Sequence, residues 1–422
     1  MSTTPTNGQL ISKSMTLKRG SYFLPKGLVI NADHVTLDGN GATLIGNHRS
    51  GCGVKIHGRR EVTIRNLRIR EFEHGIRATE CRDFTVQECD ITSTAELAPN
   101  TEFLDIWRPS ENAYGGGIFL CRVEEGVLRD NLLMHQMNGL LTYHCRHLIV
   151  KGNVASYNSG FGFHLYDTSD SHFEGNNADY CCRYQPRGDD RGHLGADAAG
   201  FLVVAGSSRN RLVKNVARMG GDGFFLAGLN PQFKYRPCND NLFLENDGSY
   251  SPNIAFEATF SQGNVFQHNK ANFCNYGFWL GFSLRNIVEG NDICANRGAG
   301  IAVENGTGCV ARANNIRGNG HGILLWSKHV PAFDAVVPEN DTSHDWLIEE
   351  NTFTGNSKAI RIAADQDHGV RPYDPQGKAP HHHTIRANSF EQGAVGIELA
   401  GVKDTTLETN SFLSIQQQMQ NQ

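Results

Sequence analysis

His164 and Tyr166 stand two positions apart in the segment Gly162-Phe-His-Leu-Tyr. In an extended strand, residues two apart point to the same side with about 7 Å between Cα atoms, so one substrate can contact both. A base and a proton donor in this arrangement suit abstraction of the C5 proton of a uronic acid, and a cation must then neutralise the substrate carboxylate. The first hypothesis is therefore β-elimination or C5 epimerisation, with His164 as base, Tyr166 as proton donor and Arg361 or a loop arginine as the cation.

Glu257 and Glu304 support a second hypothesis, glycoside hydrolysis. That reaction needs two carboxyl groups, about 5–5.5 Å apart for retention of configuration or about 6.5–9.5 Å apart for inversion. The repeat of the chain places the two glutamates two coils apart, so their expected Cα separation is slightly long. Converging side chains would be needed to close it, and the hydrolase is the runner-up.

An internal repeat predicts the elements that position these residues. A small residue precedes an apolar segment at steps of 22 or 23 residues, as from Gly139 to Gly162 and from Gly277 to Gly300. Three short alternating segments fill each period, and this length fits one coil of a right-handed parallel β-helix, with coils stacked about 4.8 Å apart. The chain is predicted to be all-β, a single-stranded right-handed parallel β-helix of roughly thirteen coils.

An asparagine recurs in phase, eight or nine residues ahead of those small residues, with one interruption between asparagine and strand after Asn176. Asparagine accepts left-handed backbone angles and can hydrogen-bond its equivalents in neighbouring coils, so a structural amide ladder is expected. Its members would be Asn131, Asn153, Asn176, Asn215, Asn246, Asn269, Asn291, Asn314, Asn351, Asn388 and Asn410.

Units such as Asn269-Lys-Ala-Asn-Phe-Cys-Asn-Tyr-Gly-Phe-Trp-Leu resemble the right-handed parallel β-helix repeat family. That family includes pectate-lyase-like and mannuronan-epimerase-like polysaccharide enzymes and the periplasmic copper-maturation protein of nitrous oxide reductase. The resemblance covers almost the whole chain and implies the fold, whereas a repeat that encodes stacking does not specify a reaction. The Asp-Pro-His-Asp element associated with mannuronan epimerases is missing, the nearest stretches beginning at Asp365 and Tyr373.

The repeat predicts one domain over residues 1–422, with an N-terminal cap region at 1–26 and a polar tail at 417–422. Insertions interrupt it, and long insertions in a solenoid usually serve capping or binding. Three follow the strand after the small residue, at 229–238, 327–343 and 365–381. Two precede that strand, at 95–114 and 182–197. Together they predict two walls around a groove floored by the outward face of the strand.

Aromatic side chains on such a floor suit the apolar faces of sugar rings, and charged groups suit hydroxyls and carboxylates. The predicted substrate-binding residues are Tyr143, His144, Phe225, Trp279, Trp326, Arg191, His193, Lys234, Arg236 and Lys328. The predicted catalytic residues are His164, Tyr166, Glu257, Glu304 and Arg361. A third hypothesis is a noncatalytic carbohydrate-binding or assembly module, for which only the aromatic residues matter. Whether the chain is an enzyme is left open, with a polysaccharide lyase or epimerase first.

The amino-acid composition limits the classes of binding partner that are expected. With 39 Lys and Arg against 44 Asp and Glu, the chain has no overall basic field, so neither nucleic acid nor a membrane is an expected partner. As written it begins without an export signal, which favours the cytoplasm, whereas a leader removed from the sequence would indicate secretion or the periplasm. Carbohydrate is the expected partner, and the oligomeric state is left open.

Metal and disulfide chemistry are not predicted. Eleven cysteines without a Cys-x-x-Cys pair indicate reduced, mostly buried thiols. The three consecutive histidines His381, His382 and His383 cannot readily all face one ion, so no metal site is predicted and the cofactor is unknown.

Overall fold

The computed structural model describes residues 2–99, 101–186, 192–194, 197–364 and 378–421, without the side chains of 185, 186 and 192–194. Two compact units divide the chain, residues 1–222 and residues 223–422. In each unit the chain winds through short parallel strands, and each strand pairs with its equivalent in the next coil. The sheet that carries the predicted site residues is called the face sheet.

Unit 1 contains three parallel sheets. Its face sheet consists of Gln9–Ile11, Leu28–Ile30, Cys52–His57, His74–Thr79, Gly116–Cys121, Leu140–Tyr143, Phe161–Tyr166 and Ala199–Val204. The second sheet consists of Ser2–Thr3, Met15–Leu17, Thr36–Asp38, Arg60–Arg65, Arg82–Gln87, Val127–Arg129, Ile149–Lys151, His172–Glu174 and Arg211–Val213. The third consists of Ser21–Phe23, Thr43–Ile45, Arg68–Arg70 and Asp90–Thr92. The insertions add the 3-10 helix Ser110–Asn112 and the antiparallel pair Tyr184–Pro186 and Gly192–Leu194.

Unit 2 repeats this plan. Its face sheet begins with Asp222–Ala227 and continues through Ile254–Thr259, Tyr276–Trp279, Ala299–Glu304, His321–Trp326, Lys358–Ala363, Ser389–Ala400 and Ser411–Asn421. The second sheet consists of Leu242–Leu244, Val265–Gln267, Ile287–Glu289, Val310–Arg312, Leu347–Glu349, Thr384–Arg386 and Thr406–Glu408. The third includes Asp292–Cys294, Asn315–Arg317 and Thr352–Thr354. Insertion 327–343 holds the helix Pro331–Asp334 and the 3-10 helix Pro338–Asn340.

The interior is filled by apolar side chains that repeat once per coil. In unit 2, for example, the fully buried rings of Phe224, Phe256 and Phe278 stack with centroids 4.8 and 5.1 Å apart. The spacing equals the rise between coils, so one residue type at one register position builds a continuous core. The predicted right-handed parallel β-helix is confirmed.

The predicted amide ladder is also present. In unit 1 the buried side chain of Asn131 donates to Asn153 Oδ1 at 2.8 Å, and Asn153 donates to Asn176 Oδ1 at 3.0 Å. An amide both donates and accepts, so each asparagine satisfies the next without leaving a buried polar group unpaired.

Both chain ends differ from expectation. The region 1–26, predicted as a cap, already takes part in coil stacking, because Gln9 pairs with Leu28 and Ile11 pairs with Ile30. The polar tail is the end of an eleven-residue strand, Ser411–Asn421. Backbone pairing, as between Val395 and Gln417, needs no apolar side chain, which is why composition alone misjudged it. The single-domain organisation stays a prediction.

All eleven cysteines are free and most are buried, as expected. No helix in the described part of the chain is long and apolar enough to cross a membrane.

Candidate functional site

In unit 1, His144 and Asp167 occupy equivalent corners of adjacent coils, each directly after a face strand. Both adopt the left-handed backbone conformation, with φ of 55° and 48°. His144 Nδ1 lies 2.7 Å from Asp167 Oδ2. An ionised carboxylate can only accept, so Nδ1 carries the proton and Nε2 is the basic nitrogen of the neutral ring. The side chains are 33% and 23% exposed, so solvent reaches this pair.

Arg146 completes the arrangement around Asp167. Its Nη2 donates to Asp167 Oδ1 at 2.9 Å, and its Nη1 donates to the main-chain carbonyl of the same residue. Burial alone would raise the pKa of Asp167, but the hydrogen bonds and charges of His144 and Arg146 outweigh it, and the pKa lies below its usual value. An aspartate held ionised in this way orients the imidazole and stabilises its protonated form.

Tyr166, the predicted proton donor, lies beside this pair. Its ring centroid is 5.8 Å from that of His144, in an edge-on orientation, and 6.2 Å from that of His164. Tyr166 is partly exposed, whereas His164 is not. The accessible histidine next to Tyr166 is therefore His144.

The sequence predicted that His164 lies on an open groove floor, but the structure covers it. It is 2% exposed, because insertion 95–114 covers it and the backbone of Ile106 hydrogen-bonds its ring. Its Nδ1 has no hydrogen-bond partner among the described residues. Burial lowers the pKa of His164 to about 3, so the ring is neutral at physiological pH. Its assignment as the base stays a prediction.

Tyr143, predicted to contact substrate, is also covered. It is 1% exposed and packs with Phe119, Cys121 and Leu141, while its hydroxyl donates to the carbonyl of Arg108 at 3.3 Å. The expected exposure was wrong because the alternation of a strand defines which side a residue faces but not what covers that side. In this face sheet an insertion does so.

The two insertions of unit 1 contact each other. Arg183, only 5% exposed, reaches from insertion 182–197 to the carbonyl of Glu102 at 3.1 Å and to that of Ala98. Arg191 lies outside the described residues. His193 lies in the strand Gly192–Leu194, and its side chain is outside the described part.

In unit 2 the partly exposed Trp279 lies on the face sheet between two neighbouring strands. Strand register places Glu257 on one side of it and Ala302 on the other. Its ring lies 4.9 Å from Tyr276 and 5.4 Å from Trp326, both edge-on. Trp326 is 2% exposed, so the predicted substrate contact is instead a buried support for Trp279. Phe225, the register partner of Glu257, is likewise buried, at 7% exposure.

Glu304 is engaged by two donors. Trp326 Nε1 donates to Glu304 Oε1 at 3.2 Å, and Lys328 Nζ lies 3.5 Å from the same oxygen. One strand separates Glu304 from Glu257, so their Cα atoms are about 12 Å apart, two coil rises along the sheet and two residues along the strand. The predicted long separation agrees with this register.

Asn305 of the preceding coil holds the main chain of Lys328 at the start of insertion 327–343. Asn305 accepts from the Lys328 main-chain N at 2.6 Å and donates to its carbonyl at 2.7 Å. Phe333 of the same insertion contacts Phe233 of insertion 229–238, with centroids 6.0 Å apart, so these two insertions meet as the groove prediction required. Lys328 is left exposed.

The remaining predicted residues are divided between surface and interior. Lys234 is exposed in insertion 229–238, and Arg236 is partly buried there, its main-chain N donating to Gly228 O at 2.7 Å. Arg361 is 6% exposed and its Nε lies 3.1 Å from Glu398 Oε2, which also accepts from Lys358 Nζ at 2.6 Å. The expected exposed cation is thus a buried ion-pair partner, and its role stays a prediction.

Comparison with known families agrees with this geometry. The family described as right handed beta helix region matches residues 27–217 and 110–249, which together span more than half of the chain. The chain belongs to the right-handed β-helix family. A second family, described as periplasmic copper-binding protein (NosD), matches residues 217–422 of this β-helix protein. No curated protein sequence matches it.

Several solved structures are similar to this β-helix protein at low sequence identity. The A-module of a mannuronan C-5 epimerase from Azotobacter vinelandii is 14% identical, with 97% of this chain and 91% of that chain covered and a TM-score of 0.46. A double mutant of a periplasmic alginate epimerase is 12% identical, with 95% and 84% covered and a TM-score of 0.47. A PL6 alginate lyase complex with trisaccharide is 14% identical, with 96% and 80% covered and a TM-score of 0.40.

The copper named in the second family description does not fit the residues that the structure describes. Among the described residues, no group of three or more His, Cys, Asp or Glu side chains is arranged to hold a metal ion. The consecutive histidines diverge, because His381 stacks on His344 at 4.9 Å whereas His383 is fully buried. No step of the chemistry is therefore assigned to copper.

Sequence reasoning missed Asp167 and Arg146. Both lie one to three residues beyond a strand end, where the alternation of outward positions along the strand no longer applies. Continuing the register one position past Tyr143 and Tyr166 would have paired His144 with Asp167, since equivalent corners stack as strands do.

Proposed function

We propose that this β-helix protein binds an acidic polysaccharide and moves the proton at C5 of a uronate residue, with His144 and Tyr166 as the proton-transfer pair. The hydrogen bond between His144 Nδ1 and Asp167 carries this proposal, because it directs the basic Nε2 away from the carboxylate. Tyr166 supplies a hydroxyl beside the same ring. His144 thus takes the role of base that the strand pattern had predicted for the buried His164.

His144, Tyr166 and the substrate account for every proton and electron pair in the proposed reaction. His144 Nε2 accepts the C5 proton, and the electron pair spreads into the substrate carboxylate as an enolate. In elimination the pair then forms a C4–C5 double bond, the C4–O bond to the neighbouring sugar breaks, and the Tyr166 hydroxyl protonates the departing oxygen. In epimerisation Tyr166 instead returns a proton to the opposite face of C5.

Arg122 is the cation proposed to neutralise the substrate carboxylate. It occupies the corner one coil before His144, and its side chain is 60% exposed. Hydrogen bonds at its own backbone and from Ser110 lower the pKa of Glu111, and the charges of His144 and Arg122 lower it further, which indicates that both side chains lie near this acidic group. A carboxylate of the substrate is attracted in the same way by the Arg122 guanidinium.

Trp279 is proposed to bind a sugar ring in unit 2. A partly exposed indole supported edge-on by Tyr276 and Trp326 is held rigidly, which lowers the entropy lost when a sugar stacks on it. Lys328, fixed by Asn305 and exposed, lies near Glu304 and supplies a cation for an acidic substituent.

Glycoside hydrolysis is less well supported, because Glu304 already accepts from Trp326 and Lys328, and Trp279 lies between it and Glu257. Noncatalytic binding uses the same Trp279 surface but gives the His144–Asp167 pair no task.

The test uses the whole chain and a panel of uronate-containing and neutral polysaccharides in deuterated buffer. Ultraviolet absorbance of unsaturated uronate reports elimination, reducing ends report chain cleavage, and NMR reports deuterium at C5. His144→Gln should slow the uronate reaction by about 10²–10⁴-fold. His147→Gln is the matched control, since His147 also occupies an exposed left-handed corner three residues away, and its activity should be unchanged. Reducing ends alone, lost in Glu257→Gln but not in His144→Gln, would establish the hydrolase instead.

A further inference from the structure

Two buried histidines of unit 1 have a ring nitrogen without a partner. His74 and His164 are each 2% exposed, and Nδ1 of each has no hydrogen bond within the described residues. Unpaired buried polar atoms are uncommon in native proteins, and each requires a structural or functional explanation. The proposed proton-transfer pair uses neither of these atoms.

The two histidines belong to one row of rings. His74 lies 5.0 Å from Phe119, Phe119 lies 5.4 Å from Tyr143, and Tyr143 lies 5.2 Å from His164. Tyr166 is 5.2 Å from Tyr143, so the row ends beside the proposed site. Phe119, Tyr143 and His164 alternate along their strands with inward-facing residues, so this part of the row is outside the coil interior, and His74 contacts it through Phe119.

Insertion 95–114 covers the end of this row and is tied together internally. The Asp105 main-chain N donates to the Tyr114 hydroxyl at 3.0 Å, and the Arg108 guanidinium lies 4.0 Å from the centre of the Tyr114 ring. Buried Leu104 and Ile106 project from the same segment. These contacts tie Asp105, Arg108 and Tyr114 into one segment.

Among the described residues, few polar contacts join the insertion to the face sheet. The Tyr143 hydroxyl reaches the Arg108 carbonyl at 3.3 Å, near the limit of a hydrogen bond, and the Ile106 backbone bonds the His164 ring. On the other side the side chain of Arg183 reaches the carbonyls of Ala98 and Glu102 and lies 3.4 Å from the Thr101 hydroxyl. Arg183 therefore acts as a latch between the two insertions.

We propose that insertion 95–114 is a lid over a closed glycan subsite, and that its opening exposes Tyr143 and His164 next to Tyr166. The unpaired Nδ1 of His164 then accepts from a sugar hydroxyl, and the Tyr143 hydroxyl, released from Arg108, donates to another oxygen. The lid itself stands on the contacts of unit 1, and only the identity of the ligand rests on the proposed function.

Two native cysteines test the lid without any glycan. Cys121 lies on the outward side of its strand beneath the lid, where the Ser110 hydroxyl hydrogen-bonds its thiol, whereas Cys145 lies inside the coil. Both are buried, at 5% and 0% exposure, and burial raises the pKa of both thiols. Lid opening uncovers Cys121 alone, whereas unfolding uncovers both.

The measurement is alkylation of the native protein by iodoacetamide, followed peptide by peptide with mass spectrometry. Cys121 should react at least about tenfold faster than Cys145 because local opening is more frequent than unfolding. Arg183→Ala should increase the alkylation rate of Cys121 further without changing that of Cys145. The control Arg209→Ala, which removes an exposed arginine paired with Asp170, should change neither rate. Equal rates at Cys121 and Cys145, or acceleration of both by Arg183→Ala, would overturn the lid.

A reversible lock tests the link to substrate. Ser110→Cys places a second thiol against Cys121, so oxidation closes the lid covalently. Turnover of the polysaccharide active in the panel should fall at least about tenfold on oxidation and recover on reduction, whereas oxidised wild type should be unaffected. Undiminished turnover in the locked protein would refute the subsite. Absence of turnover in wild type as well is a failure of the proposed reaction and leaves the alkylation result to decide the lid.

Discussion

Truncation of one asparagine in the ladder of unit 2, Asn291→Ala, is expected to destabilise the protein strongly. Asn291 Oδ1 accepts from the main-chain N of Asn269 at 2.8 Å and from its Nδ2 at 3.0 Å. Asn291 Nδ2 donates to Phe266 O at 3.0 Å and to Asn314 Oδ1 at 3.0 Å. All four hydrogen bonds are lost in the variant. Asn314 Oδ1 still accepts from the Asn291 main-chain N at 2.9 Å.

The magnitude follows from the groups left unpaired. Asn291 is 1% exposed, so the two donors of Asn269 and the Phe266 carbonyl lose a partner away from water. Each unsatisfied buried group costs about 1–3 kcal/mol. Partial relaxation lowers the sum, and we expect the free energy of unfolding to fall by about 3–6 kcal/mol, a large share of the roughly 5–15 kcal/mol typical of a domain.

The assay is urea-induced unfolding followed by circular dichroism. Asn315→Ala is the matched control, because Asn315 is exposed and donates from Nδ2 only to Asp292 at 3.2 Å, and it should change stability by at most about 0.5 kcal/mol. Asn291→Asp keeps the acceptor but loses both donors, so it should be least harmful at acidic pH, where the carboxyl is neutral. A loss below about 1 kcal/mol for Asn291→Ala would refute the argument that the ladder bears stability through buried amides.

Three further predictions concern pH, binding and catalysis. Burial lowers the pKa of His383 from 6.5 to about 3, so the unfolded state binds the proton first and stability falls as pH drops through that range, by up to about 1.4 kcal/mol per pH unit. His383→Phe should remove that contribution, which denaturation midpoints at neutral and acidic pH will show; an unchanged slope would contradict it. Trp279→Ala should weaken glycan affinity about tenfold or more in titration calorimetry, and unchanged affinity would exclude the proposed sugar platform. Arg122→Met should raise KM for an acidic substrate about tenfold at low ionic strength, and a KM insensitive to this change would remove Arg122 from carboxylate recognition.

The exposed His144–Asp167 pair and the covered His164 show which features of the site strand alternation predicts and which it does not. Alternation correctly placed Tyr143, His164 and Tyr166 on the outward side, since registers such as Tyr143 opposite Tyr166 follow directly from the repeat. It did not show that Tyr143 is 1% exposed or that Trp326 is 2% exposed, because those values depend on the packing of insertions with no repeat of their own.

The sequence by itself determined the coil. Each repeat of a solenoid contacts only its neighbours, so the asparagine, the small residue and the alternating apolar positions act over about 22 residues and are visible in the chain. The number and spacing of the cysteines also predicted that they are free and mostly buried. The tertiary structure alone decided which chemical groups reach solvent. The contacts that decide this join distant residues, as Arg183 joins Glu102 across 81 positions and Tyr143 joins Arg108 across 35. Contacts of that range depend on where two irregular insertions fold against the sheet, and no periodicity in the chain encodes it.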